Sequence, residues 1–143
     1  MSISIPYRYS VTLRITHPEL LPQLVTSELG LEPHRSWGVG EPRSTPTGSP
    51  LPGVRKDSFW SYQFVTPTDG ELEQFLLSVV ASLSAHADYF QHISSSGGRS
   101  ELFVGFFMQS RNTGVVLSPQ LQEACSALAL AVALDIYAQE PGP

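Results

Sequence analysis

The chain has 143 residues, a formal net charge of −5, 41% hydrophobic residues and 15% charged residues, which describes one acidic globular domain over residues 1–143 and excludes a disordered chain. The acidic balance argues against general nucleic-acid binding, which needs a basic face to displace counterions, so no nucleic-acid partner is expected. One cysteine, Cys125, excludes an internal disulfide. The opening MSISIPYRYS shows no signal-peptide pattern. No window approaches the ~18–20 apolar residues of a membrane helix, so a cytoplasmic chain without a membrane partner is expected.

Residues 7–16 alternate, with Tyr7, Tyr9, Val11, Leu13 and Ile15 facing one way and Arg8, Ser10, Thr12, Arg14 and Thr16 the other. That spacing predicts a strand with one buried and one wet face. A short helix follows, with Pro18 at its first position, a stripe of Leu20, Leu21, Leu24 and Val25, and Gly30 as its stop. Pro22 would lie inside that helix without a donor, which predicts an irregular first turn. Leu31 to Val39 reads as a short strand entering a long loop.

The loop, about residues 40–56, is rich in proline and glycine. Long loops in compact domains are uncommon and usually functional or disordered. Phe59 to Val65 then reads as a strand. Leu72, Phe75, Leu76, Val79, Val80 and Leu83 predict a helix over Glu71 to about Ala85, with Thr68 and Glu71 as a capping box. Tyr89 to Ser94 reads as a strand, Ser94 to Gly98 as a turn, and Glu101 to Met108 as a strand apolar on both faces. The last of these predicts a central position, with Phe103 and Phe107 covered by a helix, the loop or a second copy of the chain. Asn112 to Gly114 turns the chain, and Val115 to Leu117 extends a hairpin. Ser118 caps a helix with Pro119 at its first position, and Leu121, Ala124, Cys125 and Leu128 form its buried face. Leu130, Val132, Leu134 and Ile136 alternate as a last strand, and residues 139–143 form a frayed tail.

The order of elements predicts an α+β fold: a mixed, largely antiparallel sheet with helices mainly on one face, a ferredoxin-like core plus an extra strand-helix-strand. Leu76, Val80, Val104, Phe106, Leu121 and Leu134 are the expected core.

No catalytic motif stands out. His17, His34, His86 and His92 lack ligand spacing, and one thiol builds no structural zinc site, so no metal or cofactor is expected. No nucleophile elbow exists, and Cys125 falls on an apolar helix face, where a free cysteine is ordinarily inert core. The loop remains. Arg35, Arg43, Arg55 and Lys56 lie in or beside it, with Trp37 and Trp60 near its ends. One reading gathers the cations round an anion or an acidic partner, with the indoles as flat contact area. The other makes both tryptophans packing anchors that pin the loop and has the arginines pair with local acids or face water.

Gly30-Leu31-Glu32-Pro33, Ser36-Trp37, Gly40-Glu41-Pro42, Phe59-Trp60-Ser61-Tyr62, Leu117-Ser118-Pro119 and Leu134-Asp135-Ile136-Tyr137 occur in one order. Together they resemble the uncharacterised bacterial domain-of-unknown-function family 4279, over about residues 7–137. The resemblance implies a small α+β domain and assigns no catalytic residue. The expected function is a non-enzymatic binding or interaction module, with a protein or small-anion partner and a possible homo-oligomer through the Phe103/Phe107 face. A toxin-neutralising immunity protein and an enzyme on a small anionic substrate are the alternatives.

Overall fold

The computed structural model describes residues 6–139, so all of the predicted tail but Gln139 lies outside the described residues. The elements run β1 Tyr7–His17, α1 Pro22–Leu29, β2 Arg35–Trp37, β3 Pro42–Ser44, β4 Pro50–Val54, β5 Ser58–Gln63, α2 Leu72–Leu83, a 3-10 turn Ser84–His86, α3 Ala87–Ser95, β6 Arg99–Met108, α4 Pro119–Ala127 and β7 Leu130–Tyr137. Five strands form one sheet in the order β2-β5-β1-β6-β7, and β3 and β4 form a separate hairpin. The strand β1 is antiparallel to both β5 and β6, β2 is antiparallel to β5, and β6 and β7 are parallel through α4. Hence β1 and β2 run parallel with β5 between them, and β5 and β6 run parallel with β1 between them.

The fold is mixed α+β with the helices on one face. Tyr7, Tyr9, Val11, Leu13 and Ile15 of β1 are buried with Leu102, Val104 and Phe106 of β6 and Trp60 of β5. Val25 and Leu29 of α1, Leu72, Leu76 and Val80 of α2, Phe90 and Ile93 of α3, and Leu121 and Cys125 of α4 close over them. Tyr7 also ties the layers together: its hydroxyl accepts the N–H of Leu72 at 3.1 Å, at the start of α2. The predicted Thr68–Glu71 capping box does not form, since Glu71 is itself the extended N-cap and makes no side-chain cap. Instead the carboxylate of Glu73 accepts the N–H of Ser118 at 2.6 Å. Hydrogen bonding by Ser118 holds that carboxyl below its usual range. Ser118 caps α4 as predicted, its hydroxyl accepting the N–H of Leu121 at 3.2 Å.

Several expectations are corrected. The helix α1 starts at Pro22 rather than Pro18, because His17 Nδ1 accepts the N–H groups of Glu19 and Leu20 at 2.9 Å and holds that turn out of the helix. Pro22 then occupies the first position, where its missing donor costs nothing. The stripe shifts accordingly: Val25 is buried, while Leu21 is 50% and Leu24 55% exposed. Tyr89 to Ser94 is helical, with Phe90 and Ile93 turned inward three residues apart. Six residues cannot separate a period of 2 from one of 3.6, and the chain arrives already helical from α2. The Ser94–Gly98 turn therefore ends a helix, with the N–H of Gly98 bonded to the Ile93 carbonyl at 2.8 Å. Val115 to Leu117 form no strand. Residues 40–56 are an ordered hairpin, β3 with β4, not an irregular loop.

Two further findings concern the sheet. Strand β6 lies between β1 and β7 but has helices over one face only. Phe103 and Phe107 are half-buried, covered by no helix. The Arg14 guanidinium lies 4.5 Å from the Phe103 ring centroid, and Tyr137 stacks on Phe107 at 4.8 Å. Leu134, placed in the core by alternation, is 47% exposed. It stands on the edge strand, past the part that α4 covers, beside a shallow apolar groove with Val115 and Ile136.

The two leucines give contrasting expectations. Leu76 is fully buried, so Leu76→Ala should cost about 2–5 kcal/mol in chemical denaturation through lost burial and a cavity. Leu134→Ala should cost less than about 1 kcal/mol. Equal losses would refute this placement of the core.

Candidate functional site

The site is set by a short pairing. β2 is antiparallel to β5, with Arg35 opposite Ser61, Ser36 opposite Trp60 and Trp37 opposite Phe59. Opposed residues share a face and successive residues alternate. Trp37 therefore lies on the helix-free face, stacked on Phe59 at 4.6 Å between ring centroids. The hairpin β3-β4 leaves the end of β2 and returns as residues 55–57, and the Trp37 indole N–H donates to the Asp57 carbonyl at 3.1 Å. Backbone bonds fix the hairpin base: Gly40 N–H to the Arg55 carbonyl at 2.9 Å and Arg55 N–H to the Glu41 carbonyl at 2.8 Å. Gly40 has φ +84°, the left-handed conformation that glycine supplies at a sharp turn.

Between hairpin and sheet lies an open groove of about 780 Å³ lined by Arg14, Thr16, Arg35, Trp37, Arg43, Pro52, Arg55, Lys56, Asp57 and Phe59 among others. Five of the chain's eight lysines and arginines line it. Two converge on one ring: the Arg55 and Arg35 guanidinium carbons lie 3.8 and 4.8 Å from the Trp37 ring centroid. Arg55 also donates to the Ser44 carbonyl at 2.7 Å, and Arg43 to the Pro52 carbonyl at 3.2 Å. These bonds orient the guanidinium groups without neutralising them. Among the described residues, Arg35, Arg43, Arg55 and Lys56 have no carboxylate within ion-pair distance, whereas Arg14 meets Glu101 at 3.5 Å.

The structure thus brings together Arg35, Trp37, Arg43, Arg55 and Lys56. It places Trp60 elsewhere. Trp60 is 1% exposed on the helix face, where its indole N–H donates to the Thr26 hydroxyl at 3.0 Å. Trp37 pairs with Phe59 and Ser36 with Trp60, so the two indoles point to opposite faces although their strands are adjacent. Arg14 and Phe59 escaped notice in the sequence. The only signal for Arg14 was its place on the wet face of β1, which names a face but not the strand beside it.

Other chemistry is sparse. Cys125 is buried on α4, and burial pushes its thiol up, away from the reactive thiolate. Among the described residues no cluster of three or more His, Cys, Asp or Glu could hold a metal ion. No helix among them is long and apolar enough to cross a membrane.

Quenching should tell the indoles apart. In Trp60→Phe, which leaves Trp37, iodide should quench strongly and better than a neutral quencher, because the surrounding cations concentrate the anion. In Trp37→Phe quenching should be weak. Similar quenching of both variants would contradict this placement.

No curated protein and no solved structure matches the chain. Residues 7–139, from the first residue of β1 to beyond the end of β7, match the model of the family described as Domain of unknown function (DUF4279), and the chain belongs to that family.

Proposed function

We propose that the chain is a non-enzymatic binding module whose groove holds the anionic groups of a ligand. One observation carries this reading: in a chain of net charge −5, five of eight cationic side chains line one groove, four of them without a carboxylate partner among the described residues. Keeping like charges together unpaired costs energy, and an anion removes that cost. Arginines held over an indole also keep donors available for bidentate contact with carboxylate or phosphate. The enzyme alternative needs an acid-base pair beside the arginines. The groove lining supplies the exposed Asp57 and no histidine, which favours binding over proton transfer. The immunity alternative draws on the net negative charge and would use the acidic helix side rather than this groove. The single buried thiol suits a reducing compartment such as the cytoplasm.

Titration with pyrophosphate or a dicarboxylate should give a saturable change in Trp37 fluorescence. Arg35→Ala and Arg55→Ala should each weaken binding tenfold to over a hundredfold, since a charge-assisted hydrogen bond is worth about 1.5–3 kcal/mol. A flat response into the tens of millimolar, or variants that bind like the parent, would overturn the anion reading.

A further inference from the structure

The cations are not confined to the groove. Arg8 and Arg14 stand on the helix-free face of β1, and register places Arg99 of β6 on the same face, opposite Thr16. With Arg35, Arg43, Arg55 and Lys56, seven of the eight lysines and arginines serve that side, and Arg111 lies in the loop after β6. The four helices carry Glu28, Glu73, Asp88 and Glu123 and not one lysine or arginine. The formal charge of −5 therefore averages two unlike faces and does not measure the field over the sheet. Glu101, Asp135, Asp57 and Glu41 at the hairpin base temper the open side without matching its seven cations in number.

The same face carries aromatic rings. Trp37, Phe59, Phe103, Phe107 and Tyr137 come from four strands, and none is fully buried. Rings and cations interleave: Arg14 lies 5.8 Å from the Phe59 centroid and 4.5 Å from that of Phe103. Phe107 lies against Gly105, where a Cβ would approach the ring to 3.3 Å, and stacks on Tyr137. From Arg14 to Arg8 is six residues of strand, roughly 20 Å at about 3.3 Å per residue. A small anion would occupy the groove alone and leave this platform unused.

Resting on the anion reading of the groove, we infer that the ligand is a single-stranded nucleic acid lying across the open sheet face. Its phosphates meet the guanidinium groups and its bases meet the rings, the combination that single-strand binding surfaces use. A duplex hides its base faces in the stack. An acidic peptide would satisfy the cations, but unlike a nucleic acid it does not bring a flat ring with every charge. The acidic helix side repels phosphate and so confines the strand to one face.

Fluorescence anisotropy with a labelled short oligothymidylate or oligouridylate, across a salt series, tests this. Five phosphate contacts give a log–log salt slope of about −3.5, at about −0.7 per contact for single strands. The double substitution Arg14→Gln with Arg35→Gln should make the slope shallower by about 1.4. Phe103→Leu should weaken binding about fivefold or more through lost stacking. Tyr137→Ser, at an exposed position, provides the same readout should Phe103→Leu fail to fold. Binding of polyglutamate or pyrophosphate without the oligonucleotide, or oligonucleotide binding that neither aromatic variant alters, would overturn the nucleic-acid inference and leave the anion groove standing. Binding of none of the three would overturn both.

Discussion

A strand has two faces, and β1 assigns them for the whole molecule. Its odd residues from Tyr7 to Ile15 are all buried, and its even residues, Arg8 to Thr16, are all at least partly exposed. Because β1 pairs with both β5 and β6, its alternation passes sideways through the register to Trp60 and Leu102 on one face, and to Phe59 and Phe103 on the other. A slip of one residue would send Arg14 into the core and Leu13 into water. The hydrophobic face recruits every helix. The opposite face is left open and collects the cations. Core packing and the candidate site are thus two results of one periodicity.

The groove depends on contacts that are individually weak and spend no charge. β2 is only three residues long and could not hold the hairpin by its ladder alone. Trp37 adds a stack on Phe59, a hydrogen bond to the Asp57 carbonyl and the two guanidinium contacts. Cation–π contacts at exposed sites are worth about 0.5–1 kcal/mol each. The Ser58 hydroxyl accepts the Val39 N–H at 2.9 Å across the same junction. Since backbone groups and an indole do the positioning, the arginines keep their charge and most of their donors. Salt bridges would have fixed the wall equally well and cancelled the field.

The parts legible in the sequence were those with long, clean periods. Ten alternating residues fixed β1 to within one residue, and the apolar stripe from Leu72 to Leu83 fixed α2 to within a residue or two. Short or competing signals failed. Tyr89–Ser94 is too brief to show its period. The position of α1 was decided by His17 Nδ1 capturing two amides, a side-chain bond that no propensity registers. The hairpin at 42–54 hid behind its prolines, which edge strands tolerate. Of the candidate site, Arg35, Arg43, Arg55 and Lys56 could be grouped with Trp37 because they lie in or beside one loop. Arg14 and Phe59 needed the lateral register, and Trp60 needed the face assignment, neither of which single-sequence spacing supplies.

On the open face an aromatic ring is shielded by a cation rather than by a helix. Phe103 bare on a strand would invite association. Arg14 lies over it, held between Glu101 at 3.5 Å and the rings of Phe59 and Phe103. That ion pair is a single long contact at a partly exposed position, a kind worth about 0–1 kcal/mol. A bidentate phosphate or carboxylate contact to the same guanidinium is stronger. A bidentate anion would therefore compete with Glu101 for Arg14 at little cost, and a shift of that side chain would bare the Phe103 ring. The shielding of Phe103 and part of the charge of the open face thus rest on one side chain.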